Sequence, residues 1–335
     1  MSVPSSVRHT VGLGTFPFAS PFHAVTAEEA SEVLRCYLRS GRRYVDTSPT
    51  YAFGAVEALL GRDLAGVHDA VISTSCGYVR EGDVFRISGR PDDVREDLRG
   101  SLDRLGRSTV SMYMSHLPDL DTPLAETARA LGELRDAGVV ECIGVSNVTA
   151  RQLEEYLKGS QIDYVQNRLS LINRELDPEL VSICRDRGIG IVAYQVIERG
   201  LLVEDHDPTA RLRTGDLRSR KPEWRSEVRA VLAAWVERSL RPVGERHGLS
   251  TGGVAVAWAL SQPAVEIAQV GASNPARLLP LLEAESKRGD ADLIAGAEHA
   301  YEELENVVRE RGFRSVRQFT GLEEYSVYGG SASGR

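Results

Sequence analysis

The stretch Val110-Ser111-Met112-Tyr113-Met114-Ser115-His116, read on through Thr122-Pro123 and Gly138 to Glu141-Cys142-Ile143-Gly144-Val145, decides the fold. Val110–Ser115 is a short, mostly apolar run, the pattern of a buried strand. Pro123–Ala137 carries apolar residues at helical spacing, with Thr122 reading as the N-cap and Pro123 as the first helical residue. Gly138 then stands where a left-handed helix cap favours glycine, and Glu141–Val145 reads as the next strand. A strand, a helix and a second strand in quick succession make one parallel βαβ unit.

The same unit recurs in both directions. Strands are expected at Val11–Gly14, Tyr44–Asp46, Ala70–Thr74, Val110–Ser115, Glu141–Val145, Asp163–Gln166, Gly190–Tyr194 and Glu266–Val270. Helices are expected at Ala27–Ser40, Val56–Leu64, Pro91–Leu105, Pro123–Ala137, Ala150–Lys158, Pro178–Arg187, Trp224–His247 and Pro275–Glu285. Asp177 before Pro178 repeats the cap signal, and Arg90-Pro91 does so less cleanly; Gly41, Gly106 and Gly188 follow helices as Gly138 does. Eight repeats close into a (β/α)8 TIM barrel. The rival, an open doubly wound sheet, wants a glycine-rich phosphate turn after its first strand. Gly12-Leu13-Gly14-Thr15 lacks the third glycine. The expectation is a single barrel domain over residues 1–335, with a Gly/Ser-rich tail disordered from about 326.

Composition narrows the partners. Hydrophobic residues make up 42% and charged residues 26% of the 335 residues, an ordinary globular balance. The net charge of −8 disfavours nucleic acid or an anionic membrane as partner. No stretch has the length of a membrane span, and Met1–Thr10 lacks the apolar run of a signal peptide. Cys36, Cys76, Cys142 and Cys184 are scattered, without metal or redox spacing, so reduced thiols and a cytoplasmic location are expected. The partner expected is a small-molecule substrate.

In a barrel the ends of the strands converge on one mouth, where the chemistry sits. Asp46 closes the second strand and Tyr51 follows it; Ser75 and Cys76 close the third; His116 follows the fourth. Singly, each reads as a cap, a packing residue or a satisfied structural side chain. On successive strand ends, an acid, a phenol and an imidazole form a proton-transfer set. The long connections Cys76–Arg90 and Gln195–Glu223 leave the same face, so both are candidate covers for a ligand. Phe16, Phe18, Phe53 and Tyr78 are candidates to wall a pocket.

These segments resemble one family. Tyr44-Val45-Asp46-Thr47-Ser48-Pro49-Thr50-Tyr51, continued by Gly54 and Glu57-Ala58-Leu59-Leu60-Gly61, resembles the aldo-keto reductase segment with the catalytic Asp and Tyr. Met112-Tyr113-Met114-Ser115-His116 is similar to its histidine segment, and Ile143-Gly144-Val145-Ser146-Asn147 and Tyr164-Val165-Gln166-Asn167 to its carboxamide-binding segments. Gly200-Leu201-Leu202 and Gly271-Ala272-Ser273-Asn274-Pro275 are similar to its later cofactor segments. The resemblance covers Val11 to about Glu283. It implies a nicotinamide lying near Gly14, Thr15 and Phe16, its carboxamide held by Ser146, Asn147 and Gln166 and its ring stacked on Tyr194. Gly200, Leu201, Gly271, Ser273 and Asn274 would complete the cofactor site. It further implies hydride transfer to a carbonyl whose oxygen faces His116 and receives a proton from Tyr51. Arg277 matches the position contacting the 2′-phosphate, which implies NADPH, and the resemblance implies a monomer or weak homo-oligomer.

One departure bears on the chemistry. The family's fourth catalytic residue is a lysine at the end of the third strand, whereas this chain reads Ile72-Ser73-Thr74-Ser75-Cys76-Gly77, with Ser75 in that place. The three lysines, Lys158, Lys221 and Lys287, lie far from it in sequence. A free phenol titrates near about 10, and a neighbouring ammonium makes it a better acid. Without the ammonium, Tyr51 is expected to be a weaker acid, and Asp46 must be protonated or find another partner, such as Ser75 through water. Other departures are Gln195-Val196-Ile197 after Tyr194, where the family has Ser-Pro-Leu, and Pro280-Leu281 after Arg277. The leading reading is an NADPH-dependent reductase of a carbonyl or enone, possible in specialised metabolism. The alternatives are a non-redox lyase, dehydratase or isomerase using Tyr51, Asp46 and His116 for proton transfer, and a non-enzymatic cofactor-binding subunit.

Overall fold

The computed structural model describes residues 9–19, 25–82, 84–174 and 176–323. Ten strands occur among them: β1 (Thr10–Gly14), β2 (Tyr44–Asp46), β3 (Val71–Cys76), β4 (Tyr78–Glu81), β5 (Val84–Ile87), β6 (Val110–Ser115), β7 (Val140–Ser146), β8 (Tyr164–Arg168), β9 (Gly190–Tyr194) and β10 (Val265–Val270). Eight of them close into a parallel barrel in the order β1-β2-β3-β6-β7-β8-β9-β10, and β10 returns to β1. The seam pairs Val11 with Ala268 and Leu13 with Val270. The TIM barrel expected from the eight repeats is the observed fold. The tail expected to be disordered lies outside the described residues.

Alternation along the strands fills the barrel and then builds its mouth. Tyr44, Val71, Met112, Met114, Cys142, Tyr164, Val192 and Ile267 form one buried cluster contributed by seven strands. Side chains two residues on share that face. The step leads from Tyr44 to Asp46, from Val71 to Ser73 and Ser75, from Tyr164 to Gln166, and from Ile267 to Gln269. Apolar residues thus give way to polar ones toward the ends of the strands. The opposite faces pack against the helices through Val11, Leu13, Val45, Ile72, Tyr113, Ile143, Val145, Val165, Ile191 and Ala268.

Several local expectations need correction. The helix after β6 begins at Leu124, with Pro123 in the cap position; Thr122 instead donates its hydroxyl to Asp119 at 2.7 Å. Trp224–His247 is not one helix. It opens on a three-ten turn at Pro222–Trp224, runs as Ser226–Trp235, widens over Val236–Leu240 and resumes as Arg241–His247. Pro242 accounts for the widening, because it lacks an N–H and its ring would clash with the preceding turn. Helices at Thr251–Leu260 and Ala291–Glu310 were not foreseen. The first is buried at all ten positions and so has no polar face to reveal a period.

The two long connections are structured. Cys76–Arg90 contains the antiparallel hairpin β4–β5, pinned at its ends where Gly77 N donates to Asp97 at 3.0 Å and Gly89 N to Asp119 at 2.8 Å. Gln195–Glu223 is held by a buried charge cluster: Arg168, at the end of β8, pairs with Glu198 and, at 3.3 Å, with Glu223, which Arg199 also reaches at 2.9 Å. All four cysteines are free.

Candidate active site

The mouth is assembled from the last inward residues of the strands. Asp46 ends β2 and is buried. Its carboxylate accepts from Ser73 Oγ at 3.0 Å, Gln166 Nε2 at 3.1 Å and Gln269 Nε2 at 2.7 Å. All three donors are neutral. Burial therefore wins over hydrogen bonding, and the carboxyl is pushed up to about 6. The expected contact from Asp46 to Ser75 is replaced by these three direct bonds. Gly14 makes room for Gln269, since a Cβ there would lie 2.6 Å from its Nε2.

Tyr51 opens a short turn after β2, its N–H donating to Ser48 O at 3.0 Å. Ala52 and Phe53 follow with φ of 48° and 54°, conformations that cost roughly 1–3 kcal/mol each in residues with a side chain. The strained turn fixes Tyr51 at the mouth, its ring edge-on to Phe16 at 5.1 Å. Burial pushes the phenol well above its ordinary range, and the nearby Asp46 carboxylate and the Tyr194 and Tyr78 phenols push the same way. No positive charge among the described residues offsets them.

His116 follows β6, its N–H donating to Cys76 O at 3.0 Å. Its Nδ1 lies 3.0 Å from Ser75 Oγ, and Tyr78 meets its ring edge-on at 5.0 Å. Burial holds the imidazole down at about 4, so it is neutral at neutral pH. Ser75 Oγ also donates to Ser48 Oγ at 3.0 Å. Ser75 therefore belongs to the histidine side of the mouth.

The adjoining strand ends carry the expected cofactor residues. Ser146 donates to Gln166 O at 2.8 Å and to Gln166 Oε1 at 3.3 Å. Asn147, with φ of 60°, donates through Nδ2 to His116 O at 2.9 Å and to Ser146 Oγ at 3.0 Å. Tyr194 donates its hydroxyl to Asn147 Oδ1. Thr15 folds back onto Asp46 O at 2.8 Å, beside Gly14 and Phe16. Gly271 packs against this corner, as a Cβ there would meet Pro17 at 2.5 Å. Gly200, with φ of 97°, and the buried Leu201 lie in the turn after Glu198. Ser273 and Asn274 precede the helix Pro275–Leu282, with Asn274 Oδ1 accepting from Arg277 N at 3.0 Å. Arg277 is exposed and faces Asp205 at 3.4 Å.

The sequence reading missed Ser73 and Gln269 as partners of Asp46, Ser48 beside Ser75 with Thr50 behind it, and Asp205 beside Arg277. The two-residue step from Val71 through Ser73 to Ser75, and from Ile267 to Gln269, was the available signal for the first pair. Nothing local marks Asp205, whose pairing is made by tertiary structure.

A model of the Aldo/keto reductase family matches residues 10–302. The chain belongs to the aldo-keto reductase family. It is an oxidoreductase of a family that uses nicotinamide cofactors and small-molecule substrates. It is 32% identical over 256 residues to an NADH-specific methylglyoxal reductase of Escherichia coli (strain K12), covering 71% of this chain and 76% of that protein. It is 30% identical over 279 residues to an aldo-keto reductase of Bacillus subtilis (strain 168), covering 82% and 84%. Among solved structures, a glycerol dehydrogenase of Gluconobacter oxydans superposes with a TM-score of 0.77 at 26% identity, over 88% of this chain and 91% of that one. No helix among the described residues of this reductase is long and apolar enough to cross a membrane.

Proposed function

We propose that the barrel mouth reduces a small carbonyl compound with a nicotinamide cofactor, using Asp46, Tyr51, His116 and Ser75 in an arrangement without the family's lysine. The observation that supports this reading is the joint placement of two chemistries on one rim. Asp46, Tyr51 and His116 share it with Ser146, Asn147, Gln166 and Tyr194, Gln166 donating to Asp46 and Asn147 to His116 O. A hydroxyl, two amides and an aromatic ring on adjacent strand ends suit a planar carboxamide-bearing ring. When bound, such a cofactor supplies a hydride.

The chain's own residues then have separable tasks. Ser146, Asn147 and Gln166 hold the carboxamide, and Tyr194 supports the ring face. Gly14, Thr15, Phe16, Gly200, Leu201, Gly271, Ser273 and Asn274 line the remaining path. Tyr51 and His116 hold the carbonyl oxygen. Tyr51, with no cation beside it, works as a hydrogen-bond donor to developing negative charge. Asp46 orients Gln166 and Gln269. Phe16, Phe53 and Tyr78 wall the substrate side.

The cofactor reading is NADPH, with Arg277 receiving the 2′-phosphate. A second reading, NADH, is favoured by Asp205, which already pairs with Arg277 and would repel a phosphate there. The test is a fluorescence titration of both reduced cofactors against the wild type and Arg277→Ala, followed by methylglyoxal-dependent cofactor oxidation. Tighter NADPH binding that Arg277→Ala abolishes supports the phosphate role. Preference for NADH removes it. Failure to bind either cofactor removes the reductase reading.

A further inference from the structure

The geometry points to a proton relay, Thr50–Ser48–Ser75–His116, that delivers protons to the substrate oxygen through the imidazole and replaces the acid function weakened by the missing lysine. This rests on the reductase reading above and adds Ser48 and Thr50 as positioning residues.

Three hydroxyls and one ring nitrogen form an unbroken line. Thr50 Oγ1 lies 2.9 Å from Ser48 Oγ, Ser48 Oγ lies 3.0 Å from Ser75 Oγ, and Ser75 Oγ lies 3.0 Å from His116 Nδ1. Ser48 is fully buried and Ser75 nearly so, whereas Thr50 is partly exposed. The line therefore leads from the imidazole, through protein, toward solvent. Each hydroxyl both donates and accepts, and rotation about its C–O bond reverses the line without moving a heavy atom. Ser75 is the central link. The side chain in the lysine's place thus joins the histidine to the loop after β2.

The carbonyl carbon gains a hydride from the bound dihydronicotinamide, a C–H bond forms, and the C=O π pair moves onto oxygen. With the hydroxyls turned from the observed outward sense, in which Ser75 donates to Ser48, to the inward one, that oxygen takes the proton on His116 Nε2 while Nδ1 takes the proton of Ser75. Ser75 takes that of Ser48, Ser48 that of Thr50, and Thr50 one from water or a buffer acid. The carbonyl is reduced, the cofactor is oxidised and one solvent proton is consumed. The imidazole changes tautomer and stays neutral throughout, in keeping with the burial that disfavours its cation. It resets in the vacated mouth when Nε2 takes a proton from water and the line carries one outward. Tyr51 hydrogen-bonds the oxygen and gives up no proton.

Two readouts test this. In the cofactor-free protein, the 15N resonances of the His116 imidazole report its tautomer. Thr50→Val, which removes a hydroxyl three links away from the ring while keeping its shape, should shift the tautomer balance as Ser75→Ala does. In the reaction, kcat measured in mixtures of H2O and D2O should give a bowed plot for the wild type, because several protons move together. Ser48→Ala and Thr50→Val should lower kcat by about tenfold, a modest share of what proton transfer contributes. They should straighten the plot and leave the KM for cofactor alone. Thr50→Ser returns the hydroxyl and should restore both. Wild-type turnover with unchanged kcat, plot shape and tautomer in Thr50→Val and Ser48→Ala overturns the relay and leaves the reductase intact. A wild type that oxidises no reduced cofactor overturns the reductase reading, and the relay with it.

Discussion

The two sides of the mouth treat their buried groups differently. On the Asp46 side Ser73, Gln166 and Gln269 satisfy the carboxylate with neutral donors, and burial lifts it to about 6. Nothing there makes Tyr51 a better acid. On the His116 side Ser75 lies 3.0 Å from the imidazole Nδ1 and donates to Ser48, which in turn meets Thr50. Satisfying a buried group and activating it are different tasks: amides do the first, and a connected line of exchangeable protons does the second.

The comparison can be broken by removing one side at a time. His116→Gln removes the proton-bearing ring, and kcat should fall about a thousandfold, within the range for general acid catalysis. Tyr51→Phe removes a hydrogen bond to the oxygen, and kcat should fall about a hundredfold. Steady-state kinetics of both variants with one aldehyde checks the order. A larger loss in Tyr51→Phe than in His116→Gln would place the acid on the Asp46 side.

Ser75→Lys acts on both sides at once, because it cuts the histidine line and introduces an ammonium at the mouth within possible reach of Asp46. The change in kcat alone should stay within about tenfold either way, as two opposing effects partly cancel. Tyr51→Phe in that background should then cost at least about tenfold more than in the wild type, because the phenol has become the acid. The same variant bears on stability. Asp46 has a folded pKa raised to about 6, so its contribution to stability is complete below the ordinary carboxylate range and is lost as pH rises through 6. A lysine at position 75 should lower that pKa and flatten this part of the profile. Urea unfolding of both proteins from pH 4 to pH 7 measures it; parallel profiles would mean that the ammonium does not reach Asp46.

Much of this was legible in the sequence, and the reasons are physical. The βαβ units announced themselves through short apolar runs, helix caps and glycines, and the eight strands lie within a few residues of their expected places. Asp46, Tyr51, Ser75 and His116 were singled out together because strand ends in a barrel converge, and the structure brings them to one mouth. Their partners were harder to see. Gln269 lies 223 positions from Asp46 and meets it only because β10 closes onto β1. The helix Thr251–Leu260 was silent because a uniformly buried helix has no periodic polar face. The Arg168–Glu198–Glu223 cluster, which ties down the loop Gln195–Glu223, was also invisible, as three scattered charges do not declare that they will be buried together.

On the proposed reading, this mouth transfers a hydride to a carbonyl carbon with Ser75 where a lysine is expected. This is tested by turning over the wild-type protein with methylglyoxal and reduced cofactor deuterated on the transferable face of C4, then reading the product by NMR. The account expects one deuterium on the carbinol carbon per cofactor oxidised, with the hydroxyl proton drawn from solvent. Product without deuterium from the cofactor, or turnover in its absence, would contradict the account and assign Asp46, Tyr51 and His116 to proton transfer alone.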